Sequence, residues 1–380
     1  VSTLVTSSTL GEISGVGSGR PDPAKAAVAS LRHLTDGSSM QITFPGAILC
    51  AIATICWLAE AVGSLLAHGI DLARVTLAMG IVTWGVLDER LDAGRGYGHG
   101  DAYRPWLWVH RKNTPGQGNQ VVDPLPGYRR ASHFMAQVEW HVALLCVYLR
   151  ALDVREQFPL WPFPHPHPLA DHPETQQHRP RQCPGLIKIA NKLGVDHGLE
   201  VGSDVPYVAS LDLLVTLKRK KGMGLAGIAL KPHELILSSE SKVRVIERLQ
   251  MEKVCMDHYA ATHVVVDRGL IGDHTGGNME FFSSGARVPS ALQLESLQTD
   301  FKSVFIEAAS ETSISEGINR ASRSTRLDPL SANLLWRHLT WRRQIEVDIT
   351  APLEMGQPLR CGGQAIARAL AVELFGEEPR

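Results

Sequence analysis

Residues 205–232 read VPYVASLDLLVTL, KRKKGMG and LAGIALKP, two apolar runs joined by one short basic turn. Such runs predict paired strands, with alternate side chains on opposite faces of the sheet. Asp212 interrupts the first run and Lys231 ends the second. A symmetric hairpin centred between Lys221 and Gly222 sets these two residues directly opposite each other, about 5 Å apart at Cβ. A carboxylate there can hold a divalent metal on a DNA phosphate, while the lysine polarises attacking water or developing charge. That is the smallest equipment of a metal-dependent nuclease. Asp–Lys pairs are also common on ordinary hairpin surfaces, so the pair alone leaves both readings open.

A third residue points the same way. Residues 132–152, SHFMAQVEWHVALLCVYLRAL, have the periodicity of an amphipathic helix with Ser132 as N-cap. Phe134, Val138, Val142, Leu145, Leu149 and Leu152 form the expected buried stripe, and Glu139 lies one residue off it. A carboxylate on the shoulder of a buried face needs a partner to offset its desolvation. A lysine, an arginine or a metal meets that need, and an ion pair at the helix edge is the default.

Four segments then occur in a telling order: GRGYGHGDAYRPWLWV (94–109), the Glu139 helix followed by LDVREQFPL (152–160), the hairpin, and RVIERLQMEKVCMDHYAATHVVV (244–266). Together they resemble the TnsA family, the endonuclease subunit of heteromeric cut-and-paste transposases, over roughly residues 91–355. The resemblance implies an α/β restriction-endonuclease-like (PD-(D/E)xK) nuclease domain followed by a C-terminal winged-helix domain. It sets Glu139, Asp212 and Lys231 on the family's catalytic positions. It also implies Mg²⁺ as cofactor, with Mn²⁺ as a substitute, and transposon-end DNA, a companion DDE transposase and a AAA+ regulator ATPase as partners. One departure matters: related hairpins carry Glu, Asp or Gln two residues before the lysine, and this chain has Ala229. The ligands then reduce to Glu139, Asp212 and the Leu230 carbonyl with water, which Mg²⁺ tolerates. Ala229 also favours an alternative, a catalytically weak or inactive adaptor that joins transposase and ATPase. A stand-alone restriction-like nuclease is a further alternative.

The expected organisation is an N-terminal extension over 1–90, a nuclease domain over 91–271, a winged helix over 279–357 and a tail over 358–380. The first 90 residues combine a Ser/Thr/Gly-rich start with an apolar segment, 44–70, interrupted by Glu60. An acid in mid-span costs about 3 kcal/mol in a membrane, which disfavours a spanning helix. The family starts not far before the glycine-rich block, so a translation start at Met79 is expected, and with it a cytoplasmic protein without a membrane partner.

A net charge of −1 over 380 residues excludes a generally basic DNA-coating protein. DNA contact must come from local patches: Lys218, Lys220 and Lys221 in the turn, Arg337 to Arg343, and Arg95 and His99 (with Tyr103) in a glycine-rich loop that reads equally as a structural turn. The six cysteines lack a CxxC spacing and suit reduced thiols. The His- and Pro-rich stretch 159–184 (His165, His167, His172, His178 and Cys183) is expected as a solvated loop in preference to a zinc site. Glu247 and Glu252 on the following helix could reinforce the site, but a solvated face is the expected reading. GDHTGGN (272–278) reads as a linker, three helices follow, and QIEVDIT (344–350) reads as a wing strand. Acidic residues on the first two of those helices point to protein docking.

Overall fold

The computed structural model describes residues 5–6, 82–110, 119–170, 172, 175, 182–220, 222–231, 242–267, 271–287 and 294–379. The chain divides into two units, and the elements below lie in the one formed by Val1–Leu10, Thr83–Glu200 and Asp204–Arg380. The apolar segment 44–70, Met79, Lys221 and His178 lie outside the described residues.

In chain order the elements are β1 (Val5–Thr6), α1 (Trp84–Asp92), β2 (Val121–Asp123), β3 (Ser132–Phe134), α2 (Gln137–Tyr148), β4 (Asp153–Leu160) and α3 (Leu186–Leu193). They continue with β5 (Ala209–Arg219), β6 (Gly222–Leu230), α4 (Lys242–His258), β7 (Thr262–Val266) and α5 (Asp273–Ser283). The last four are α6 (Gln298–Glu311), α7 (Ile314–Thr325), α8 (Pro329–Trp341) and α9 (Gly363–Phe375). The main sheet has the order β1-β7-β6-β5-β4. Among the described strands only β6 and β7 run parallel, and α4 supplies the crossover that a parallel pair requires.

Strands β6 and β7 alternate cleanly between two cores. Ala226, Ile228, Val264 and Val266 face the core shared with α2 and α6–α9, while Leu225, Ala229 and Val265 face the core shared with α3 and α4. In β5, Leu213, Val215 and Leu217 belong to the first core, yet Leu211 and Ala209 belong to the second. The period-two pattern therefore breaks at Asp212. Across the ladder the break faces Gln157, whose φ of 47° lies in the left-handed region that side chains other than glycine rarely enter.

Several expectations change. The hairpin register is Leu213 to Ile228 and Arg219 to Gly222, closing through residues 220–221. Asp212 therefore comes opposite Ala229, with Lys231 its diagonal neighbour. A slip of two residues preserves the shared face, because side chains alternate with period two. Ser132 caps no helix; it starts β3, and α2 begins at Gln137. Leu152 of the predicted stripe is 44% exposed. The expected linker 272–278 lies at the start of α5, with Gly276 so close to the His141 ring that a Cβ would sit 2.3 Å from Nδ1. The three C-terminal helices form, but 344–350 makes no strand. Ile345, Val347 and Ile349 are buried as the alternation predicts, with Val347 packed against Gly363 at the start of α9. The expected tail contains α9, whose Leu374 and Phe375 are wholly buried. No described helix is long and apolar enough to cross a membrane.

Candidate active site

Asp212, Lys231, Glu139, Gln157 and Glu252 converge where β4, β5 and the end of β6 meet the start of α2 and the middle of α4. The Asp212 Oδ2 atom accepts from the Leu230 backbone N–H at 2.7 Å and from Lys231 Nζ at 3.1 Å. Lys231 Nζ also donates to the Leu230 carbonyl at 3.2 Å. Both side chains keep a sixth of their surface open, 16% for Asp212 and 17% for Lys231. The expected pair therefore forms, through a diagonal contact.

Glu139 lies in the first turn of α2 and is 7% exposed. Its Oε2 accepts from the Met135 N–H at 2.9 Å and from Gln157 Nε2 at 3.2 Å. The positive end of the helix dipole also favours a carboxylate there. Burial first, and then the charge of Asp212, nevertheless push the Glu139 pKa up to about 7. Asp212 is raised as well, by burial opposed by Lys231 and reinforced by Glu252. Two carboxylates thus sit within range of each other's charge, and Lys231, in contact with Asp212, acts on both.

One residue escaped the sequence reading, and Glu252 takes the less expected of its two readings. Gln157, inside the REQFPL block, bridges Glu139 to Ser210, whose Oγ donates to Gln157 Oε1 at 2.9 Å. The only signal was its place beside Glu156. Glu252 is 1% exposed, against the expectation of a solvated face. Burial opposes its charge, but His263, Lys231 and Arg248 hold its carboxyl below the ordinary value. It stays inside because α4 packs hard on β6: a Cβ at Gly227 would come within 2.5 Å of Met256 Sδ. Glu247 does remain on the open side, paired with Arg244 at 3.3 Å.

Residues expected at DNA are placed differently. Lys218 and Lys220 are exposed, near the hairpin tip and about 20–26 Å along the strand from Asp212. Arg95 lies over the Trp108 ring at 3.3 Å and donates to the Pro105 carbonyl. His99 stands 3.4 Å from Asp153 Oδ2, and buried Tyr103 donates to the Glu156 carbonyl at 3.0 Å. The glycine-rich block and the REQFPL strand therefore hold each other in place. His165 and His167 contact Tyr259 at 2.6 and 3.0 Å, so the described part of that stretch is packed.

No group of three His, Cys, Asp or Glu that could hold a metal occurs among the described residues. The donor set is instead two mutually repelling carboxylates and a backbone carbonyl. That set fits a Mg²⁺ ion that keeps its waters and takes further oxygens from a phosphate. It does not fit a closed protein cage. Ala229 is fully buried in the second core and offers no ligand.

No protein-family model matches the chain. The chain is similar to the transposon Tn7 transposition protein TnsA of Escherichia coli, with 30% identity over 166 residues. The match covers 43% of this chain, which spans about half, 50%, of the curated relative's length. This similarity bears out the resemblance to the TnsA family carried by the glycine-rich block, the REQFPL strand and the hairpin.

Proposed function

We propose that the chain is a metal-dependent DNA endonuclease of a transposition system, built on a restriction-endonuclease-like core and cutting at the 5′ ends of a mobile element. The observation that carries this reading is the cluster of Glu139 and Asp212, both raised in pKa and both facing one lysine. Similarity to a transposition protein supports it.

Glu139 and Asp212 would hold Mg²⁺ or Mn²⁺, which when bound supplies a Lewis acid and an activated water. The protein's own part is positioning. Met135 and Gln157 fix the Glu139 carboxylate, and the Leu230 N–H fixes Asp212. Lys231 brings an ammonium to where charge grows on the phosphate in the transition state. The C-terminal helices α6–α8 serve partner docking, with a companion DDE transposase and a AAA+ ATPase as the proteins the family reading supplies. Buried Ala229 favours one second reading, a catalytically weak adaptor with the same fold and partners.

The test is nicking of end-containing DNA in Mg²⁺ with the purified partner transposase. Asp212→Ala is expected to abolish cleavage while leaving assembly with the transposase intact. Full activity in that variant overturns the site, and an inactive parent chain that still assembles favours the adaptor.

A further inference from the structure

Two adjoining cavities lie at the end of α2 away from Glu139. One of about 300 Å³ is lined by Val147, Tyr148, Arg150, Trp341, Arg342 and Arg343. The other, about 240 Å³, shares Arg150 and Arg343 and adds Gln364, Arg368 and Glu378. Arg368 is matched by Glu378 at 3.4 Å. Among the described residues, Arg150, Arg342 and Arg343 make no side-chain hydrogen bond or ion pair. Burial and the neighbouring Arg150 charge lower the Arg343 pKa, opposed by Glu378, which is itself paired with Arg368, so the cations here outnumber the acid beside them.

Arg150 and Arg343 also share an unusual backbone. Each follows a helix in the left-handed region, at φ 70° and 57°. Each closes a C-terminal motif in which glycine is the favoured residue: Arg150 N–H donates to Val147 and Ala151 N–H to Cys146, as Arg343 does to Thr340 and Gln344 to Leu339. The negative end of a helix favours an arginine there, and Arg326 caps α7 in the same way at φ 56°. Capping alone therefore explains nothing about the cavity. What it leaves open is why two such arginines meet at one recess. Arg337 and His338, also candidates for phosphate, are engaged elsewhere, by Ser284 and by the Gly285 carbonyl.

We propose that Arg150, Arg342 and Arg343 form a binding site for the phosphate backbone of duplex DNA, separate from the Glu139–Asp212–Lys231 cluster. In choosing DNA as the source of the phosphate, the inference rests on the endonuclease reading. The two sites occupy opposite ends of one helix, about 16 Å apart by its rise per residue, a span that a single short duplex covers. Tyr148 and Trp341, packed edge to face at 5.6 Å, line the same recess as the three arginines.

The experiment measures binding of the full chain to a short duplex by fluorescence anisotropy, in EDTA and over a range of salt. The variant is Arg150→Gly with Arg343→Gly, because glycine suits both backbone conformations and keeps the variant folded. The expected result is roughly tenfold or greater loss of affinity, a salt dependence shallower by about two in the log–log slope, and an unfolding midpoint that holds or rises. Arg342→Ala is expected to give a smaller loss in the same direction. Unchanged affinity and slope in the double variant overturn the proposal. So does loss of ATP or inorganic phosphate binding with DNA binding intact, which assigns the recess to a free phosphate. Because binding is read without metal and catalysis by nicking, a failed nuclease reading and a failed binding site give different results.

Discussion

Successive residues of β4 lead to two charge clusters of opposite character, one sealed and one open at Asp212 and Lys231. Glu156 meets Arg130 in a two-pronged pair at 2.6 and 2.8 Å. Arg130 also donates to Ser132 Oγ, the Val154 carbonyl and the Gly100 carbonyl, so every guanidinium N–H has an acceptor. The His133 N–H adds a further bond to Glu156. Gln157, the next residue, instead leads to Glu139, Asp212 and Lys231, where carboxylates outnumber the nearby ammonium. The first cluster is complete and holds the glycine-rich loop, β3 and β4 together. The second is left electrically open toward solvent. Complete pairing is what a structural network needs; an unbalanced, partly exposed pair of carboxylates is what a cation and a phosphate can complete.

This contrast can be broken in four ways, taken from the largest effect to the smallest. Arg130→Ala strands a buried Glu156 and is expected to cost about 3–5 kcal/mol in denaturant unfolding, enough to unfold a marginal domain. A loss below about 1 kcal/mol makes the pair ornamental. Lys231→Ala is expected to lower the cleavage rate about 10²–10³-fold at saturating DNA with little change in DNA affinity. Weak binding with a normal saturated rate reverses that role.

Glu139→Gln is expected to stabilise the metal-free protein. The folded-state pKa, about 7, lies above the ordinary 4.5, so this carboxyl's contribution is fully present below about 4.5 and lost as pH rises through 7. The glutamine stays neutral throughout and can still accept from Met135 and Gln157. Its advantage should be on the order of 2–3 kcal/mol above pH 7 and vanish near pH 4.5. Thermal unfolding in EDTA at several pH values reads this, and a pH-independent difference removes the electrostatic account. Last, Lys220→Ala at the exposed turn is expected to change stability by less than about 0.5 kcal/mol and to flatten the salt dependence of DNA binding by about one.

How far the sequence alone reached follows from the same physics. The shared face of Asp212 and Lys231 was legible because strand periodicity is insensitive to a two-residue slip. The register was not, since the run of basic residues and glycines permits more than one closure. Glu139 was legible as a carboxylate that needed a partner, although its helix starts four residues later than its apolar periodicity suggested. Glu252 was legible only as the lesser of two readings, because a charged helix position is ordinarily solvated; the close packing of α4 on β6, where Met256 approaches Gly227, accompanies its burial. Gln157 depends on a backbone φ that its residue type does not announce. The glycines of 272–278 signalled a linker, but Gly276 serves close packing against His141. Residues 344–350 kept their alternation without a strand partner, because burial in the first core rewards the pattern as well as a ladder does.

The central claim is that Glu139 and Asp212 form an open cation site whose charge is unbalanced without metal. Its most direct measurement is thermal unfolding at pH 7.5 of the parent chain and of Glu139→Gln, each in EDTA and then across a Mg²⁺ titration. The account predicts that the variant starts higher than the parent and stays flat, while the parent climbs with Mg²⁺ as the ion binds the folded state. A parent that ignores Mg²⁺, or a variant that climbs equally, contradicts it.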